Sequence, residues 1–155
     1  MLFCVKTLAL EQDRQALIAR LRAVAPSDPA RWGRMSVHQM ICHVGDAFRL
    51  YFGEKTAKEA TGWLQSTVIK WVALYAPLKW PTGVPTPSEI DQCMGAGTVP
   101  DDFEIDRAET ITLLEQFSRT QLHGLVHPDF GKLSQAQWLR LGYLHTDHHL
   151  RQFGR

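Results

Sequence analysis

The sequence contains no run of eighteen apolar residues, no C-x-x-C pair and no cluster of basic residues. Without a long apolar run, no segment is expected to cross a membrane as a helix. The three cysteines, Cys4, Cys42 and Cys93, are an odd number and do not form a disulfide framework, so a reducing compartment, the cytoplasm, is expected. The formal net charge of +1 argues against nucleic acid as the main partner.

The N-terminus also lacks the charge order of a signal peptide. Lys6 follows the first apolar residues instead of preceding them, and Cys4 comes too early for a lipoprotein cleavage site. Because the sequence ends two residues past Phe153, we expect no appended domain. A chain of 155 residues is long enough for one full core, so residues 1–155 are predicted to form a single domain.

What the sequence does contain is helical periodicity. Apolar spacing predicts helices at about residues 8–24, 36–53, 105–119 and 134–153. The second and fourth begin with capping boxes, Ser36 with Gln39 and Ser134 with Gln137, in which each side chain satisfies a backbone amide. Helices of this kind joined by one long crossover predict an all-α fold, a four-helix bundle.

The crossover has two parts. Residues 60–75 form a Trp-rich amphipathic segment with too few cations for a membrane-surface helix, so core or dimer contact is expected. Its aromatic surface, with Trp63, Trp71, Tyr75 and nearby Trp80, predicts a homodimer. Residues 77–100 hold five of the eight prolines, which is typical of a functional cover or a mobile segment.

Two histidines of the last predicted helix lie one turn apart. His145 and His149 share the helical face of Trp138, Leu141 and Gln152, which points inward. Two buried imidazoles at this spacing can share one metal ion. The alternative is a pair of core histidines bonded to backbone or to a carboxylate.

A third imidazole lies on the second predicted helix. His43 falls at the edge of the inward face, so His43, His145 and His149 are predicted to present neutral nitrogens to one ion. Three protein ligands are the number found in a catalytic zinc site, which keeps a position open for water or substrate. The sequence has no H-E-x-x-H, so a zincin is excluded.

The neighbours of these ligands receive other roles. His148 is displaced by about 100° from His149 and is predicted to be exposed or to support the ligands. His38 is expected to meet solvent, and Cys42 to be an inert core thiol. His127 precedes a proline, so an extended loop position near one end of the bundle is expected.

Three polar residues keep alternatives open. Asp46, one turn after His43, either fixes an imidazole tautomer or faces solvent. Arg151 and Gln152 either hold an anionic substrate, orient a ligand, or form a surface salt bridge. No residue of the sequence can be assigned a catalytic role.

Two stretches resemble a known family. SVHQMICHVGDAFRL and HPDFGKLSQAQWLRLGYLHTDHHLRQF resemble the DinB-like superfamily, in particular a branch with an H-x-x-H-H-L-R-Q-F-type motif. The rest of the chain matches by helix order only. The resemblance implies a bundle that binds a divalent metal, often zinc or nickel, through one histidine of helix two and an H-x-x-x-H pair of helix four. These positions are His43, His145 and His149.

Known members of that superfamily include thiol transferases acting with bacillithiol, mycothiol or glutathione, and a maleylpyruvate isomerase. The resemblance therefore implies a metal-dependent thiol-S-transferase or a hydrolase, with a metal-activated thiol or water as nucleophile and a low-molecular-weight thiol as substrate. The alternative is a non-catalytic metal-binding or stress-response module that acts as a dimeric helical bundle.

Overall fold

The protein is mostly helical. The computed structural model describes residues 5–56, 62–84 and 86–155. The α-helices are α1 (Glu11–Ala23), α2 (Val37–Tyr51), α3 (Lys70–Tyr75), α4 (Phe103–Arg119) and α5 (Gln135–Gln152). A π-helical turn (Gln65–Ile69) leads into α3, and a 3₁₀ turn (Ser88–Ile90) lies in the long connection to α4. Two short antiparallel strands, β1 (Val126–His127) and β2 (Gly131–Lys132), pair just before α5.

The four long helices pack on one another around one cluster of buried side chains. α2 packs most extensively against α4 and also against α5, while α1 packs against α4 and α5. The core draws large apolar residues from all four: Leu17, Leu21, Met40, Ile41, Phe48, Leu114, Phe117, Trp138, Leu141 and Leu150. Gly142 lets α5 approach closely, because a Cβ there would lie 2.9 Å from Leu8 Cδ1 and 3.1 Å from Phe117 Cε1.

The predicted helix starts are confirmed where capping boxes were identified. Ser36 Oγ accepts from the Gln39 amide at 3.1 Å, and Gln39 Oε1 accepts from the Ser36 amide at 2.9 Å. Ser134 and Gln137 repeat this at 3.2 and 3.0 Å. α1 begins later than predicted, because Leu8 is buried ahead of the helix and its amide donates to a carbonyl of α5.

α4 begins two residues earlier than the predicted residue 105. The Asp102 carboxylate accepts hydrogen bonds from the Glu104 and Ile105 amides, each at 2.9 Å, and so caps the helix. An acidic side chain is also favourable at a helix N-terminus, where the backbone dipoles leave partial positive charge.

The Trp-rich segment joins the core through Leu74 but not through its indoles. Part of it, residues 60–61, lies outside the described residues. Trp63 and Trp71 are 77% and 62% exposed, while Leu74 is buried. Of the predicted core or dimer contact, core contact is therefore wrong for both indoles, and dimer contact stays a prediction. Trp80 differs, because it is half-buried and its indole N–H donates to the Ala73 carbonyl at 2.8 Å.

No helix in the described parts of the chain is both long and apolar enough to cross a membrane.

Candidate metal centre

Three imidazoles meet between α2 and α5. His43, His145 and His149 each offer a ring nitrogen, and these nitrogens all lie within 4.8 Å of one another. Their ring centroids are 4.6 to 5.2 Å apart. Ligand atoms of a tetrahedral zinc site lie about 3.3 Å apart or slightly more, given metal–nitrogen bonds near 2.0 Å, so a small inward movement closes the group around one ion.

The first imidazole is oriented by the loop before α4. His43 is 2% exposed, and its Nδ1 lies 3.0 Å from the Ile90 carbonyl oxygen. A carbonyl can only accept, so Nδ1 carries the ring proton. The other nitrogen, Nε2, therefore has a free lone pair, which is the form that a metal ligand requires.

The second imidazole is oriented by the last residue of α5. The amide nitrogen of Gln152 donates to the Trp32 carbonyl at 2.7 Å, which fixes the orientation of the side-chain amide. Gln152 Oε1 then lies 3.0 Å from Nδ1 of His149, so this nitrogen must be the donor. Of the alternatives considered for Gln152, the contact agrees with orienting a ligand.

Burial keeps the group neutral. Desolvation lowers the pKa of His43, although the bond to Ile90 opposes this shift. Desolvation lowers the pKa of His145 and His149 well below 6.5, and neighbouring imidazoles reinforce the shift. Neutral imidazoles are the state that binds metal, so the site needs no deprotonation at neutral pH.

Asp46 anchors the cover loop, residues 86–100, over α2. Its carboxylate is fully buried and accepts from the Thr98 amide at 2.7 Å, the Thr98 hydroxyl at 2.6 Å and the Gln92 amide at 3.3 Å. Lys55 Nζ lies 2.9 Å away. Burial opposes ionisation, but these bonds outweigh it and hold the pKa of Asp46 below its usual range. The solvent alternative is therefore wrong: the carboxylate bonds to groups of the loop and pairs with the cations of Lys55 and Arg49.

His148 lies beside the group, between two indoles. Its ring centroid is 5.6 Å from that of Trp32 and 6.1 Å from that of Trp80, and its Nδ1 is buried without a hydrogen-bond partner among the described residues. Trp80 also approaches His145, at 6.4 Å between centroids. The position is partly buried, in keeping with support for the ligands rather than with full exposure.

His38 meets solvent only in part. Its Nε2 lies 2.7 Å from Asp106 Oδ2, and its side chain is 22% exposed. Cys42 is buried as predicted, with Sγ 3.6 Å from the same carboxylate oxygen. These three side chains form the other group that has metal-ligand chemistry within the described residues.

Two further expectations are settled by contacts. Arg151 Nε donates to Asp147 at 2.8 Å, so it forms the salt bridge that was one of its alternatives. His127 is buried in β1, where its Nδ1 accepts from the Asp129 and Phe130 amides at 3.1 and 3.3 Å. It stabilises the turn of the hairpin.

The structure thus has a mostly helical fold with a group of three imidazoles, of which His43 and His149 are buried and His145 is partly buried. The chain belongs to the family described as "Protein of unknown function (DUF1569)", whose sequence model matches residues 12–155. No curated protein and no solved structure was found to match the chain.

Sequence reasoning missed the carbonyl of Ile90 and the two indoles around His148. A backbone carbonyl is present at every residue, so its role has no signal in residue type. Trp32 and Trp80 are 116 and 68 positions from His148 in sequence, respectively, and their meeting depends on the fold.

Proposed function

We propose that this chain is a DinB-like four-helix bundle that binds one divalent transition metal, zinc or nickel, through His43, His145 and His149. The bundle is made by α1, α2, α4 and α5, which pack on one another. The proposed resemblance and the observed group agree on the same three residues. We place the protein in the cytoplasm, as the cysteine content favours.

The single observation that carries the metal proposal is the orientation of two imidazoles. His43 and His149 give their ring protons to Ile90 and Gln152, so both leave an unprotonated nitrogen for the shared space. A neutral His145 has one N–H to offer and cannot satisfy two facing lone pairs. A divalent cation satisfies all three nitrogens at once.

The activity that this group supports best is a metal-dependent transfer or hydrolysis. When bound, the metal lowers the pKa of a coordinated thiol or water and supplies a nucleophile near neutral pH. The protein contributes the three nitrogens, the two hydrogen bonds that orient them, and a flank formed by Trp80 and His148. We propose a low-molecular-weight thiol as substrate of a thiol-S-transferase reaction, with hydrolysis as the other reaction of this class.

Metal content tests the proposal first. Protein purified without a histidine tag is expected to carry at least one zinc or nickel per chain, and adding metal to the stripped protein should raise its melting temperature. Finding only a trace of transition metal, together with no rise in melting temperature on adding either ion, would falsify the site.

A second candidate function has its own observation. The exposed side chains of the Trp-rich segment include Trp63, Trp71 and Tyr75, and such aromatic residues are enriched at protein interfaces. They favour a non-catalytic metal-binding or stress-response module that acts as a homodimer. Light scattering at micromolar concentration should give a dimeric mass, and a monomeric mass would count against this candidate.

A further inference from the structure

A second group of metal-ligand side chains lies on a different face of α2. His38 and Cys42 are four residues apart and so lie on the same side of the helix, and Asp106 reaches them from the first turn of α4. One ligand atom from each lies within 4.8 Å of the other two. Cys42 precedes His43 directly, but a helix turns by about 100° per residue, so the two groups occupy separate positions.

The distances already approach those of a coordinated ion. Cys42 Sγ lies 3.6 Å from Asp106 Oδ2, which is about the separation of a thiolate and a carboxylate oxygen in a tetrahedral zinc site. His38 Nε2 lies 2.7 Å from the same oxygen and must move outward by roughly half an ångström. The ring and the carboxylate are supported, because Phe103 packs edge-on to His38 and the Asp101 amide donates to Asp106 at 3.1 Å.

We propose that His38, Cys42 and Asp106 form a second metal site, which takes a zinc-class divalent ion and ties the start of α4 to α2. A thiolate, an imidazole and a carboxylate together select zinc-class ions, whereas calcium and magnesium prefer oxygen ligands. Three protein ligands leave one position for water. The site is independent of the three-histidine group, since the two share no residue.

Metal binding at this site displaces one proton and moves another. The S–H bond of Cys42 breaks, its proton goes to solvent, and a metal–sulfur bond forms. The ring proton of His38 moves from Nε2 to Nδ1 through water, so that Nε2 can bind the ion. Asp106 exchanges its hydrogen bonds from the two side chains for a bond to the metal and keeps the bond from the Asp101 amide.

Cobalt is the probe that separates the two sites, because a thiolate bound to Co²⁺ gives a charge-transfer absorption in the near ultraviolet and imidazoles alone do not. The starting protein carries Cys4→Ser and Cys93→Ser, so Cys42 is its one remaining thiol. Titration with Co²⁺ should produce this band with one thiolate-bound ion per chain, while the three-histidine group takes a second equivalent. Addition of Zn²⁺ should remove it.

Matched variants assign the band to the proposed ligands. His38→Gln and Asp106→Asn should each weaken Co²⁺ binding at least tenfold, as followed by the band. Glu109→Gln, on the same helix, and His145→Ala, in the other group, should keep it. A folded starting protein without the band at saturating Co²⁺ overturns the proposal, and so does a band with unchanged affinity in both His38→Gln and Asp106→Asn. Circular dichroism checks that each protein is folded.

Discussion

Two faces of α2 carry ligand-type side chains, and they satisfy their polar atoms in different ways. On one face, His38 and Cys42 both contact the Asp106 carboxylate, so donors and acceptors are matched within the group. On the other face, the N–H of His43 points away from the group, to the carbonyl of Ile90 in the loop. His149, which α5 places beside it, points its N–H to the side-chain oxygen of Gln152. The other ring nitrogens of His43 and His149 are therefore acceptors.

The difference shows which group depends on a bound metal ion. A group of mixed donors and acceptors is satisfied by hydrogen bonds and remains stable without an ion. Burial even raises the pKa of the Cys42 thiol to about 12, aided by the negative charge of Asp106, so the empty group holds a protonated thiol. The three-histidine group lacks this option, because His43 and His149 each keep an unprotonated nitrogen and a neutral His145 has one N–H for both. An unsatisfied buried polar atom costs about 1–3 kcal/mol.

The largest effect is expected from removing an inward-facing ligand. His145→Ala or His149→Ala should abolish metal binding at the three-histidine group, and His43→Ala should do nearly the same. A metal present at a hundred times its dissociation constant stabilises the folded protein by about 2.7 kcal/mol, and this gain should disappear in the three variants. Titration calorimetry and thermal unfolding with and without zinc measure both quantities.

The controls for this experiment are His148→Ala and His38→Ala, which should keep the three-histidine site. If His148→Ala lost the metal while His149→Ala retained it, the assignment of His149 as the ligand would have to be abandoned.

Acid should separate the two groups by their pH windows. Burial lowers the pKa of His43, His145 and His149 in the folded protein, so the unfolded chain binds protons first. The free energy of unfolding of the metal-free protein should therefore fall as the pH drops below 6.5, the ordinary histidine value. Asp106 affects stability at a lower pH. Because its pKa is depressed in the folded protein, its contribution to the free energy of unfolding is present above pH 3.8 and is lost below it.

His127 also contributes to the fall in the free energy of unfolding at acidic pH, and a variant can measure its share. Burial lowers its pKa to about 4, so its share develops between pH 6.5 and about 4. At about 1.4 kcal/mol per pH unit, this share is about 3 kcal/mol. His127→Asn keeps an acceptor for the hairpin amides and does not titrate, so its pH profile should be shallower. Urea unfolding of both proteins measures this, and a flat profile in the parent protein contradicts the neutral state of the buried imidazoles.

A smaller effect is expected when an imidazole loses its orienting partner. Gln152→Ala removes the acceptor of the His149 ring proton and should lower zinc affinity by about 10- to 100-fold. Gln152→Glu keeps an acceptor in that position and should retain more of the affinity than Gln152→Ala. Equal affinities for the parent protein and Gln152→Ala would show that the hydrogen bond does not orient the ligand.

The smallest effect on metal binding is expected from the Trp-rich segment, which belongs to neither ligand group. Replacing Trp63 and Trp71 by serine should shift the proposed dimer toward monomer in light scattering. Zinc affinity should stay unchanged, because both indoles are largely exposed in the chain. A parallel loss of zinc affinity would mean that dimer formation shapes the site.

The sequence by itself determined the helices, the capping boxes and the inward positions of the histidines. These features are local, because side chains three or four residues apart share a helical face and a capping box spans one turn. The match to the family, over residues 12–155, spans the positions of all three proposed ligands. The spacing of His145 and His149 was therefore enough to place both on one face of α5.

Only the tertiary structure decided how those side chains are held and what surrounds them. The partner of His43 is a carbonyl 47 residues away, and the partner of His38 is a carboxylate 68 residues away. Asp46 is buried because an irregular loop folds over it, and helical periodicity does not describe that loop. Such contacts depend on which elements pack together, so no local pattern in the sequence encodes them.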